Sequence, residues 1–142
     1  MKGTSIFFVA LAAAVLAACG GTQPTTKEIT LEAKDIAYGV TTLEVTAGQP
    51  VKLTLKNVGA LDHDFNIAEI PVANLAEQSD GMAGHDMGSM TDAPAVHVAT
   101  TPGASATIEF TPTKPGAYEF FCATAGHKEA GMIGTLVVKT SN

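Results

Sequence analysis

Cys122, His127 and Met132 lie five residues apart within Phe-Phe-Cys-Ala-Thr-Ala-Gly-His-Lys-Glu-Ala-Gly-Met-Ile-Gly-Thr-Leu, residues 120–136, a stretch broken by three glycines. Thiolate, imidazole and thioether together suit a soft ion that cycles between Cu(I) and Cu(II). They suit zinc poorly, because zinc sites are built from Cys, His and carboxylate. Two His and one Cys in a trigonal set, with a long axial Met, is the arrangement of copper electron-transfer sites. The loop offers three of those four donors, so the second His has to come from elsewhere in the chain.

Stepping along the sequence, the elements that must position these residues are short and alternating. Ile29, Leu31 and Ala33 alternate with polar neighbours, and Leu43 and Val45 follow before the Gly48-Gln49-Pro50 break. Val51, Leu53 and Leu55 alternate with Lys52, Thr54 and Lys56, the pattern of a half-buried strand, and Asn57-Val58-Gly59 marks a turn. In Asp62-His63-Asp64-Phe65-Asn66-Ile67, His63 shares parity with Phe65 and Ile67. A strand there points all three to one face, so His63 projects inward and is the candidate fourth donor. A lone His on an apolar face is commonly a hydrogen-bonded core residue, but here a loop short of one His changes the weighting.

Strand character returns at Ala95–Ala99, at Ala104–Phe110 and at Thr135–Lys139. Tyr118, Phe120 and Cys122 share a parity, so one strand delivers the thiol to the interior that receives Phe120. About seven or eight short strands with turn signals and little helix predict an all-β, antiparallel sandwich. The segment from Pro71 to Pro94 interrupts the pattern as one long insertion. A short helical piece is expected at Val72–Gln78. Met82, His85, Met87 and Met90 then follow without core periodicity, a possible secondary Cu(I) site through thioethers. Connections this long inside small domains are usually functional or disordered.

The 142 residues suffice for one domain. Residues 1–18 read as an export signal: Lys2, an apolar run from Ile6 to Ala18, then Leu16-Ala17-Ala18-Cys19. That ending resembles a bacterial lipobox, which would make Cys19 the lipid-bearing first residue, with 19–27 as lipidated Cys and tether and 28–142 as the folded domain. With Cys19 at the processing site and Cys122 in the donor loop, no disulfide is expected. The formal net charge is −6 and every cation is Lys, which argues against nucleic acid, where phosphate demands a basic face. Loss of the signal would remove one lysine and no acid. Acidity of this kind keeps a small domain soluble and can also steer a basic docking partner.

With His63 and the loop in place, the sequence resembles the cupredoxins, the blue-copper family of plastocyanin, pseudoazurin and azurin. The residues that carry the likeness are Asn57-Val-Gly-Ala-Leu-Asp-His63-Asp-Phe and Tyr118-Glu-Phe-Phe-Cys122-Ala-Thr-Ala-Gly-His127-Lys-Glu-Ala-Gly-Met132-Ile-Gly-Thr-Leu. The gaps on either side of His127, and the long insertion, are most similar to the membrane-tethered auracyanins. The resemblance implies a Greek-key β-sandwich and one type 1 copper per chain. It makes His63, Cys122 and His127 the strong ligands and Met132 the weak axial one. It also implies a one-electron carrier, not an enzyme, between membrane redox complexes or cytochromes. The chain departs from the pattern at Asp64 and Ala123, where many relatives carry Asn and a Ser or Thr. Asp64 is then expected to accept a hydrogen bond from Thr124, and its backbone N–H to face the thiolate.

Two functions from different classes remain in view. One is an electron carrier held by lipid at the outer face of the cytoplasmic membrane, monomeric, and serving a cytochrome, reaction centre or terminal oxidase. The other is a periplasmic copper chaperone or buffer that uses the Met/His-rich insertion. A binuclear copper site would need a second loop Cys, and multicopper enzymes need further His ligands, for which only His85 and His97 are left.

Overall fold

Among the described residues, alternating apolar positions become ten β-strands: β1 Lys27–Lys34, β2 Ala37–Tyr38, β3 Thr42–Thr46, β4 Val51–Asn57, β5 His63–Ile67, β6 Val72–Ser79, β7 Val96–Thr100, β8 Ser105–Pro112, β9 Gly116–Phe121 and β10 Ile133–Lys139. This is a computed structural model, and it describes residues 24–79 and 93–141. Among the described residues there is no helix. Two five-stranded sheets form, in the orders β2-β1-β4-β8-β6 and β3-β10-β9-β5-β7. Their inner faces carry the alternating residues predicted for them: Leu31, Leu53, Leu55, Ile108 and Phe110 from the first, Phe65, Ile67, Val98, Phe120 and Leu136 from the second. Each such side chain contributes about 1.5–3 kcal/mol on leaving water, which is how strands of five to eight residues hold together.

The structure departs from the expected antiparallel sandwich in two places. β1 pairs parallel with β4, from Lys27↔Val51 to Ala33↔Asn57, and β3 pairs parallel with β10. Parallel neighbours need a long crossover, and the chain supplies one: between β1 and β4 it turns at β2 and crosses to the other sheet as β3. The expected helical piece at Val72–Gln78 is also corrected. It is strand β6, paired antiparallel with β8 from Val72↔Pro112 to Ser79↔Ala106. Ala, Leu, Glu and Gln favour helix locally, but an unpaired edge on β8 rewards an extended partner, and tertiary pairing overrides a weak propensity. A register shift between Ala73 and Ala76, with Asn74 at φ 52°, absorbs the irregularity. β2 and β6 are the strands beyond the eight that alternation suggests.

In the second sheet β5 and β9 are antiparallel neighbours, with Asn66 opposite Phe121. The start of β5 and the end of β9 therefore meet at one end of the sandwich. His63 and Cys122 sit at those two positions.

Candidate metal centre

His63 reaches the interior because β5 keeps the predicted parity: His63, Phe65 and Ile67 are all buried. The turn before it is clamped by Asn57, whose Nδ2 donates to the Leu61 carbonyl (2.7 Å) and the Thr100 carbonyl (3.3 Å). Its Oδ1 accepts from Gly59 N–H at 3.0 Å. Asp35 adds a further tie, accepting from Ala60 N–H at 2.7 Å. In the sequence Asn57 reads only as a turn residue; buried at 1% exposure and making these three bonds, it brackets the His63 turn.

The donor loop is closed by its own backbone. Cys122 N–H donates to the Met132 carbonyl (3.1 Å), Met132 N–H to the His127 carbonyl (2.9 Å), and His127 N–H to the Thr124 carbonyl (2.9 Å). Gly126 and Gly131, at φ 81° and 98°, take the left-handed turns on either side of His127 that this closure requires. Consequently all three loop candidates are linked through backbone hydrogen bonds, and none depends on a long side chain finding its place.

The cluster is dry. His63 is 1% exposed, Cys122 and Met132 0%, and His127 6%. Cys122 Sγ stands 3.4 Å from His127 Nδ1 and 3.9 Å from His63 Nδ1. The two imidazoles are tilted, with centroids 5.1 Å apart, and one donor atom from each of His63, Cys122 and His127 lies within 4.8 Å of the others. His63 Nε2 is buried without a hydrogen-bond partner among the described residues, while Nδ1 of the same ring faces the Cys122 sulfur.

Burial disfavours charge on two members of the cluster, His63 and Cys122. Burial, followed by the neighbouring His127, lowers the pKa of His63, only partly offset by Asp35, Asp64 and Asp62. Burial raises the thiol of Cys122, against hydrogen bonding from the Asp64 backbone N–H, while the Asp64 carboxyl raises it further. A buried thiol held in this way is a poor nucleophile. It is a good metal donor once its proton is displaced, and a soft sulfur beside two imidazole nitrogens fits copper better than a harder ion.

Asp64 behaves differently from expectation. Its backbone N–H faces the sulfur as anticipated, but its carboxylate does not take Thr124. Oδ1 accepts the backbone N–H of Ala123 at 2.7 Å, and the Thr124 hydroxyl donates to the Asp62 carbonyl at 3.2 Å. The outward parity of Asp64 on β5 aims the carboxylate at the backbone immediately past Cys122. Met82, His85, Met87, Met90 and Cys19 lie outside the described residues.

An all-β double sheet with a buried His, Cys, His and Met cluster at one end defines the cupredoxin fold with the donor set of a single type 1 copper site. Residues 25–139 match the family described as copper binding proteins, plastocyanin/azurin family, and the chain belongs to it. It is 36% identical over 98 residues to the copper-resistant cuproprotein CopI of Rubrivivax gelatinosus, covering 69% of this chain and 57% of that protein. The chain thus spans little more than half the length of that relative. CopI of Pseudomonas aeruginosa is 33% identical over 130 residues, 74% of this chain and 72% of that one. A crystal structure of dithionite-reduced auracyanin from Roseiflexus castenholzii superposes with a TM-score of 0.60 at 26% identity, covering 79% of this chain and 96% of that one.

Proposed function

We propose that the domain is a one-electron carrier built on a type 1 copper site, with His63, Cys122 and His127 as its strong ligands and Met132 as its axial one. The observation that carries this reading is the closed donor loop set against a buried strand His. Bound there, copper supplies a one-electron Cu(II)/Cu(I) couple. The chain's own residues hold the donors nearly fixed: the loop is hydrogen-bonded through Cys122, His127 and Met132, and His63 is packed on β5. Fixed donors make reorganisation small, and small reorganisation makes electron exchange fast. Burial keeps water from the donors, and the N–H of Asp64 at the sulfur tunes the couple.

His127 is the ligand nearest to solvent. Exposed small and apolar residues occupy the loops on either side, Val58, Ala60 and Leu61 in one and Ala125, Ala130 and Gly131 in the other. Such a surface suits close approach of a redox partner, a cytochrome, reaction centre or terminal oxidase. The export signal and Cys19 support a lipid-anchored, exported protein; equal membrane retention of wild type and Cys19→Ser after a salt wash would count against the anchor. The decisive test of the centre is the absorption spectrum of the Cu(II)-loaded protein. It should be intensely coloured by thiolate-to-copper charge transfer, and Cys122→Ser should abolish the band. A band that persists in Cys122→Ser sinks the assignment.

A second reading, copper tolerance by binding or buffering the metal, is favoured by the matches to the two copper-resistant cuproproteins and by Met82, His85, Met87 and Met90. It uses the same buried site and asks in addition for exchangeable Cu(I) binding.

A further inference from the structure

Asp64 is joined to three different parts of the molecule. Its carbonyl accepts from the Tyr38 hydroxyl at 2.6 Å, and Tyr38 packs edge-on against Phe120 with centroids 5.2 Å apart. Oδ1 accepts from Ala123 N–H, the first backbone donor after Cys122, at 2.7 Å. Oδ2 lies 3.9 Å from His97 Nε2 on β7, and the Asp64 side chain is only 16% exposed. No lysine of the described residues lies within 4 Å of it.

We infer that Asp64 is a positioning residue for the copper centre that acts in two separable ways: as a brace that holds the donor loop against β5, and as a fixed negative charge that favours Cu(II). The brace follows from where the hydrogen bond falls. Ala123 lies outside the backbone ladder that closes the loop through Cys122, His127 and Met132, so without Asp64 the residue following the thiolate has no tie to β5. A hydrogen bond to an ionised acceptor is the stronger kind, and 2.7 Å is a short one. The charge follows from the residue type. A carboxylate mostly withdrawn from water and lacking a lysine partner keeps its field, and it stabilises the more positive oxidation state of a nearby ion. An amide in the same place would give the brace without the charge, which is why the two roles can be tested apart.

The inference rests on the copper reading of the site, and the experiment separates their failures. Asp64→Asn retains an oxygen for Ala123 N–H and loses the charge; Asp64→Ala loses both. In the metal-free protein, hydrogen exchange at the Ala123 amide should rise by no more than about threefold in Asp64→Asn, whose neutral oxygen still accepts the bond. In Asp64→Ala it should accelerate by roughly tenfold or more, the loss expected for a charge-assisted bond. Equal rates in all three proteins, or an acceleration shared equally by the Phe65 and Val98 amides, would overturn the brace. In the copper-loaded protein, Asp64→Asn should keep the charge-transfer band and shift the reduction potential upward. A potential equal to or below wild type would overturn the charge. If the wild-type protein shows no band, the copper reading itself has failed and the charge role falls with it, while the brace is still decided on the metal-free protein.

Discussion

Gly134 on β10 packs against the Cζ end of the ring of Phe120, its register partner on β9. A Cβ built at Gly134 would overlap the Phe120 Cζ and fall 2.6 Å and 2.8 Å from Cε2 and Cε1. The ring cannot withdraw, because Phe65 stands 5.1 Å away and Tyr38 5.2 Å away, centroid to centroid. Phe120 is thus wedged two residues before Cys122, and the glycine in the facing strand is what leaves room for it. Gly134→Ala should destabilise the protein by about 1–3 kcal/mol, the range for overpacking. Denaturant unfolding measures this, and pairing the change with Phe120→Leu should recover part of the loss. A Gly134→Ala protein as stable as wild type would mean that the ring moves more freely than its packing implies.

Asn57→Ala should cost more than an ordinary turn substitution. Three hydrogen bonds converge on this one buried amide, and their loss leaves the Leu61 and Thr100 carbonyls and the Gly59 N–H short of partners. Each buried group so stranded costs about 1–3 kcal/mol when water cannot reach it. Since the turn delivers His63, copper loading should slow as well. Unfolding and loading kinetics on the same preparation check both. Loss of stability with unchanged loading would show that β5 alone positions His63.

How far the sequence could be read follows from which interactions are local. The donor loop was legible because its spacing is a local property, and His63 because alternation survives folding wherever a strand has one buried face. The strand content followed from the same alternation. What stayed hidden depends on pairing between distant segments. β6 carries helix-favouring residues, and only its partner β8 makes it a strand. The parallel alignments of β1 with β4 and of β3 with β10 are invisible to periodicity. The fit of Gly134 to Phe120, the three bonds of Asn57 and the choice of Ala123 over Thr124 by Asp64 all depend on register, which no single stretch encodes.

Met132→Leu tests the axial donor. Met132 is fully buried and its backbone is tied to Cys122 and His127, so a side chain of similar volume should be accommodated at a cost below about 1.5 kcal/mol. The three strong donors remain, so copper should be retained. A thioether stabilises Cu(II) by donating to it, and its removal should raise the reduction potential. Voltammetry of the two proteins measures the shift. Loss of copper from Met132→Leu would mean that the thioether holds the metal and does not merely tune it.

The last prediction separates carrier from copper handler, through a segment outside the described residues. An electron carrier needs only the buried cluster, none of whose four residues belongs to 82–90. Replacing Met82, His85, Met87 and Met90 together by Ser should then leave colour, reduction potential and self-exchange rate nearly unchanged. A copper handler should behave otherwise, because thioethers on a segment without core periodicity bind Cu(I) weakly and exchangeably, which suits transfer, whereas a closed and buried site releases its metal slowly. In that case the wild type should bind a second Cu(I) equivalent, or load the main site faster, and the fourfold variant should lose that advantage. Competition with a Cu(I) chelator counts the equivalents, and the growth of the charge-transfer band times the loading. The carrier reading expects one tight equivalent in both proteins and at most a small difference in loading rate. A tight second equivalent in the wild type, missing from the variant, would put copper handling first and make the buried centre one half of a two-site device.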